Sequence, residues 1–175
     1  MSIQQGFAIW MTGIPASGKS SITRELVKKP AMRGVSVVVL ESDEMRKILT
    51  PEPTYSLEER DAFYRSMALI GALITRNGVN VIFDATANRR TYREYARTLI
   101  PRFVEIFVQC PLDICKQRDP KGIYRRAAAG TAGTVPGIQS LYEPPLKPDI
   151  TLDGQKPPEA SADTVLDYLK QLLYI

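Results

Sequence analysis

No histidine occurs anywhere in the 175 residues. That excludes every catalytic triad built on imidazole, and the zinc sets that mix histidine with cysteine. Any general base must be a carboxylate, lysine, tyrosine or cysteine. Cysteine is nearly as scarce. Cys110 and Cys115 are the only two, and their spacing is not C-x-x-C. They read as small, reduced apolar residues, one ending a strand and the other opening a helix. No apolar run approaches the ~20 residues needed to span a bilayer, so no membrane partner is expected. Met1 to Gln5 lack the charged start and apolar stretch of a signal peptide, and a cytoplasmic location is expected. There are no internal repeats, and no aromatic-rich base-stacking pattern.

What is present is ordinary for a globular chain: 44% hydrophobic and 24% charged residues. The length suits one domain, residues 1–175, with a full core. Net charge is +4. Much of it gathers between Lys116 and Arg126, in Lys116, Arg118, Lys121, Arg125 and Arg126. A site for nucleotide phosphates explains that cluster as well as a polynucleotide would. A nucleic-acid partner is therefore not the expectation.

The strongest local signal is Gly13-Ile-Pro-Ala-Ser-Gly-Lys-Ser20, which fits G-x-x-x-x-G-K-[ST] without a mismatch. An apolar strand-like run, Gly6 to Thr12, precedes it. A helix-like run, Ser21 to Lys28, follows, with Ile22 and Leu26 four apart. Strand, glycine-rich turn and helix N-terminus form a cradle for phosphate, because backbone N–H groups converge there and the helix dipole favours an anion. Gly13, Ala16, Ser17, Gly18, Lys19, Ser20 and Ser21 are the candidate ATP-binding residues. Lys19 is expected to reach the β- and γ-phosphates, and the Ser20 hydroxyl to ligate Mg²⁺.

Apolar runs alternate with helix-like segments along the rest of the chain. Val35 to Leu40 is β-branched and apolar on both sides, as buried parallel strands are. Val79 to Phe83, Phe103 to Val108 and Asp149 to Leu152 are the next strands. Helices are predicted over Leu57 to Arg76, Thr91 to Leu99 and Leu112 to Arg118. A last one carries Val165, Leu166, Leu169, Leu172 and Leu173 on one stripe, with Ser161 as its candidate N-cap. This alternation predicts an α/β three-layer sandwich around a parallel sheet, with ligands beyond the carboxyl ends of the strands. Gly130 to Gly137 has the small residues of a mobile loop. A lid is expected over residues 118–137, and the prolines of the tail read as shaped loops around one site.

Two acids, an arginine and a basic segment carry the remaining chemistry. Asp43 follows the second strand and could orient Mg²⁺ or take a proton from an acceptor hydroxyl; capping the following helix is the alternative, with Ser42 as its competitor. Arg46 lies on the same helix face and suits an anionic acceptor, although it could be a surface charge. Asp84 ends the third strand in a Walker-B-like placement, where it could hold Mg²⁺ or serve as a turn residue. Arg118 to Arg126 offers positive charge over a migrating phosphoryl group, and a solvated charge run is the alternative.

With these residues in view, the chain resembles the adenylylsulfate kinase (APS kinase) family of P-loop kinases over nearly its whole length. Arg118-Asp-Pro-Lys-Gly-Ile-Tyr-Arg-Arg126 is similar to the family's R-D-P-K-G-[LI]-Y-[KR]-[KR]. Gly137-Ile138 and Tyr142-Glu143-x-Pro145 continue the match. Glu41-Ser-Asp-Glu-Met-Arg46 resembles D-G-D-N-[IV]-R, and Tyr55-Ser-Leu-Glu-Glu-Arg60 resembles F-S-E-E-D-R. The resemblance implies transfer of the ATP γ-phosphate to the 3′-hydroxyl of adenosine 5′-phosphosulfate (APS), giving PAPS for sulfate assimilation. It implies Asp43 near Mg²⁺ and that hydroxyl, Arg46 and Arg60 on the acceptor's anionic groups, Lys121 in the lid and Arg118 near the ATP adenine. Tyr55 takes the place of an aromatic that stacks on the acceptor adenine. A homodimer is also implied.

Two positions and one short stretch depart from the family pattern. Val135 stands where the family places a second aromatic against the acceptor. Phe63 stands where it has asparagine. Asp84-Ala-Thr-Ala-Asn-Arg-Arg90 replaces S-x-[IF]-S-P-[YF]. Phe63 and Val135 thus join the candidate acceptor-binding residues. A sister kinase acting on another anionic nucleotide or sugar, and a nucleotide-binding regulator without turnover, remain as alternatives.

Overall fold

The computed structural model describes residues 4–131 and 134–175, and of Pro30 the backbone only. Ala132 and Gly133, inside the expected mobile loop, lie outside the described residues. Among the described residues five strands form one sheet: β1 (Ala8–Thr12), β2 (Val37–Glu41), β3 (Asn80–Asp84), β4 (Phe103–Gln109) and β5 (Ile150–Asp153). Their order across the sheet is β2-β3-β1-β4-β5, and every pairing is parallel. The α/β class and parallel sheet expected from the sequence are both present.

Among the described residues seven α-helices lie between and after the strands: α1 (Lys19–Lys28), α2 (Ser42–Leu49), α3 (Leu57–Arg76), α4 (Arg90–Leu99), α5 (Leu112–Arg118), α6 (Ile123–Ala128) and α7 (Pro158–Gln171). The period of two in the strands sorts the core into layers. Phe7, Ile9, Met11 and Ile82 point to one face and pack with Ile22 and Leu26 of α1 and Val165 and Leu169 of α7. Ala8, Trp10, Val81 and Phe83 point to the other and pack with Phe63, Met67 and Ala68 of α3 and Tyr92 and Ala96 of α4. A third, smaller cluster joins Cys110 and Cys115 to Tyr124, Ala127 and Val135.

α3 begins where the sequence signals it should. Ser56 caps the helix by accepting from the Glu59 amide at 3.1 Å. Glu58 and Glu59 occupy the first turn and Arg76 the last, matching the dipole.

Three sequence expectations are corrected. The strand read as buried is an edge strand: β2 has a neighbour on one side only, and Val38 and Val39 are 37% and 41% exposed. Its β-branched run carries the propensity of a strand but not its depth in the sheet. Ser161 does not cap the last helix. It lies buried inside α7, which starts earlier because Pro158 suits the first turn, where no N–H bond is needed. Cys115 sits inside α5 and does not open it; Cys110 directly follows β4, and both thiols are free and buried.

Candidate functional site

The carboxyl ends of β1, β2 and β3 open onto one cleft of about 900 Å³. Its floor is the turn between β1 and α1. Gly18 there has φ +112°, a conformation that L side chains rarely adopt. A Cβ on Gly13 would sit 2.6 Å from the Val108 carbonyl oxygen and 2.7 Å from Ser17 Oγ, so neither position tolerates a side chain. Lys19 is 8% exposed, and its Nζ donates to the carbonyls of Gly13 (2.8 Å) and Ile14 (3.0 Å). Burial lowers its pKa, offset in part by Asp84. Ser17 Oγ is buried without a partner among the described residues. A glycine-shaped turn with a lysine curled back onto its own carbonyls fits an anion that would draw that lysine out.

Asp84, at the end of β3, is also buried. Burial raises its pKa, against the pull of Lys19 and a hydrogen bond from Ser20. A desolvated carboxylate beside a serine hydroxyl is the donor set a small hard cation takes. Among the described residues no cluster of three acidic or sulfur ligands exists. Ser20 and Asp84 could hold a small hard cation such as magnesium only together with ligands from outside the protein.

Asp43 faces the cleft from the first turn of α2 and does not cap the helix; the N-cap position is Glu41, with no side-chain bond to the turn. Lys121, from the 118–137 segment, reaches across to Asp43 Oδ2 (2.5 Å) and Glu41 Oε1 (3.1 Å). Desolvation would lower the Lys121 pKa, but the two carboxylates outweigh it and raise it. All three side chains are at least a third exposed. Such a bridge stabilises by about 1 kcal/mol or less, so an arriving anion can displace it. The same segment is tied to the floor by Tyr124, whose hydroxyl donates to the Pro15 carbonyl at 2.8 Å. At the far end Arg118 lines the cleft and donates to the Gly154 carbonyl at 2.7 Å.

The remaining wall is built on α2, α3 and the chain between them. Tyr55 sits at φ +56°, an unfavourable conformation for a bulky residue that costs roughly 1–3 kcal/mol. Arg60 Nε holds its carbonyl at 3.1 Å, and the Thr134 hydroxyl is 3.4 Å from the same oxygen. Arg60 also donates to Asn88 Oδ1 and to the Thr134 carbonyl and hydroxyl. It is 4% exposed, and burial lowers its pKa. Every one of these partners is neutral. Among the described residues Arg60 has no ion-pair partner, although nearby Arg46 is paired with Glu59 at 3.1 Å. A buried cation with only neutral acceptors fits an anionic ligand.

The structure brings Ala16, Gly18, Lys19, Ser20, Ser21, Asp43, Arg46, Tyr55, Arg60, Asp84, Arg118, Lys121 and Val135 to the lining of this one cleft. Gly13 and Ser17 lie just behind it, within the turn. Phe63 is the exception. It does not reach the cleft; it is 1% exposed and lies under the Arg46 guanidinium. An apolar ring at that point of α3 is drawn into the core shared with Trp10 and Met67. Sequence reading missed Glu41, Glu59, Asn88 and Thr134. Glu59 had a signal, since Ser56-Leu-Glu-Glu59 is a capping-box pattern. Asn88 and Thr134 had none, because their partners are 28 and 74 residues away.

A family model described as adenylylsulphate kinase matches residues 5–153. The adenylyl-sulfate kinase of Rippkaea orientalis is 42% identical over 147 residues, covering 84% of this chain and 81% of that protein. That of Gloeothece citriformis is 39% identical over 173 residues, covering 98% of each. Among solved structures, the Mycobacterium tuberculosis APS kinase CysC in complex with AMPPNP and APS superposes with a TM-score of 0.88 at 32% identity, covering 95% of this chain and 98% of that one. A sugar kinase from Janibacter, at 21% identity and a TM-score of 0.67, shares the fold.

Proposed function

This chain belongs to the adenylylsulphate kinase family, and from that premise we propose that it transfers the γ-phosphoryl group of ATP to the 3′-hydroxyl of adenosine 5′-phosphosulfate, giving PAPS. One observation carries the reading. A single cleft runs from the Lys19 turn, past Asp43 and Lys121, to the wall of Arg46, Tyr55 and Arg60. Donor-type and acceptor-type groups are thus juxtaposed in the space where a phosphoryl group would cross.

In this reading the turn around Gly13, Ala16, Ser17, Gly18, Ser20 and Ser21 holds the ATP phosphates through backbone amides, and Lys19 leaves its carbonyls for the phosphate oxygens. Ser20 and Asp84 would hold Mg²⁺, which would offset phosphate charge. Arg118 borders the adenine end. Arg46 and Arg60 receive the acceptor's anionic groups, and Tyr55 and Val135 line its base. Asp43 accepts the proton of the acceptor hydroxyl as its oxygen attacks the γ-phosphorus and the bond to ADP breaks. Lys121 exchanges its carboxylates for the migrating group, which frees Asp43 at the moment its basicity is needed. The segment 118–137 closes over the cleft and excludes water. A homodimer and a cytoplasmic location belong to the same proposal, checked by sedimentation of the purified protein and by fractionation of its cell.

The test is ADP release by the purified protein with Mg·ATP, offering APS beside a panel of nucleotides and sugar acids. Strong stimulation by APS is expected. Stimulation by another anionic acceptor alone rejects APS and keeps the kinase. No turnover with any acceptor, together with tight ATP binding, favours a regulator.

A further inference from the structure

α3 presents two groups to one guanidinium. Glu59 and Phe63 are four residues apart, hence one above the other on the same face. Glu59 Oε1 accepts from Arg46 Nη1 at 3.1 Å, and the Phe63 ring lies under Arg46 Cζ at 4.0 Å. The Tyr55 ring flanks the same carbon at 4.9 Å. Glu59 is itself fixed, because its other oxygen accepts from the Thr54 amide and hydroxyl. Phe63 is fixed too, edge-on to Tyr64 at 5.1 Å within the core.

Arg46 is therefore held at one corner and over one plane. Nη1 makes both of its hydrogen bonds, to Glu59 and Thr50. Nε and Nη2 make none among the described residues, and Arg46 lines the cleft. The edge formed by Nε and Nη2 is the one that binds an oxyanion through two parallel N–H bonds. A flexible arginine would lose much rotamer freedom on binding. One already stacked on a ring loses less.

We infer that Phe63 is a positioning residue for the acceptor: it never touches the substrate, but its π face sets the plane in which Arg46 offers its free edge to an oxyanion, with Glu59 fixing the other corner. This rests on the proposed assignment of Arg46 to the acceptor. It replaces direct contact with stacking as the job of position 63. A polar side chain there could meet a ligand only by reaching past Arg46; an aromatic ring acts through it.

Phe63→Leu keeps most of the volume and removes the π face. The expected result is an acceptor KM raised about five-fold, with kcat and the ATP KM unchanged. The Arg46 Nε–Hε resonance, assigned with Arg46→Lys, should lie upfield in the wild type, over the ring, and move downfield in the variant. An unchanged acceptor KM, or acceptor and ATP KM rising together, overturns the proposal, since packing alone would act that way. If the variant fails to fold, the wild type decides: an Arg46 Hε resonance at the position of an exposed arginine overturns it. If the wild-type protein does not phosphorylate APS at all, the acceptor assignment has failed separately. Titration of both proteins with inorganic sulfate, read at Arg46 Hε, then decides the positioning role. Weaker sulfate binding in the variant supports it, and equal binding overturns it.

Discussion

The two walls of the cleft are held in different ways. The donor side is made of main chain. Its turn joins a fully buried strand to a helix N-terminus, and the key cation, Lys19, is buried against carbonyls of its own loop. The acceptor side is made of side chains. Arg46 leans on Glu59, Phe63 and Tyr55, while Arg60 bridges Tyr55, Asn88 and Thr134. Backbone geometry is shared by any side chain that permits it. A side-chain lattice changes with each substitution. The donor wall should thus tolerate little variation and the acceptor wall should be where specificity is tuned.

Lys19→Ala should cause the largest loss, lowering turnover about 10³-fold by removing charge from the phosphates, with circular dichroism showing an intact fold. A variant with near-normal turnover would break the contrast at its donor side. Asp43→Asn comes next: kcat should fall about 10²–10³-fold while ATP affinity, read by calorimetry, stays put. Equal loss of both would place Asp43 with the donor groups.

Arg60→Lys should raise the acceptor KM roughly ten-fold and lower the melting temperature, because an ammonium cannot reach Tyr55, Asn88 and Thr134 together. An effect on ATP alone would erase the division between the walls. The smallest effect concerns pH. Burial would raise the Glu59 pKa, but the Thr54 hydroxyl and amide, the Tyr55 amide and Arg46 outweigh it, and the net shift is downward from 4.5. A depressed folded pKa stabilises fully above the unfolded value and is lost as pH falls through the folded one. The melting-temperature gap between wild type and Glu59→Gln should therefore hold at pH 7 and shrink as pH drops below about 4.5. A gap that is constant down to pH 3 would mean that Glu59 acts by packing.

The donor wall was legible because its information is contiguous. Thirteen to twenty-one is one stretch, and the physics of turn and helix start is local. The acceptor wall was legible only in part. The helix face shared with Asp43 points to Arg46, whereas Tyr55 and Arg60 rest on a resemblance, and Phe63, expected at the acceptor, lies behind Arg46 in the fold. β2 taught the same lesson. Its apolar run marked a strand, but no local pattern says whether a strand has one neighbour or two.

The order of residues alone determined the alternation of strand and helix, the phosphate-binding turn and the exclusion of imidazole chemistry, since each depends on neighbours within a few positions or on bare composition. Tertiary structure decided which strand stands at the edge, which carboxylates hold Lys121 and which ring carries Arg46. Those outcomes depend on contacts between segments tens of residues apart, whose free energies compete only once the sheet has brought them together.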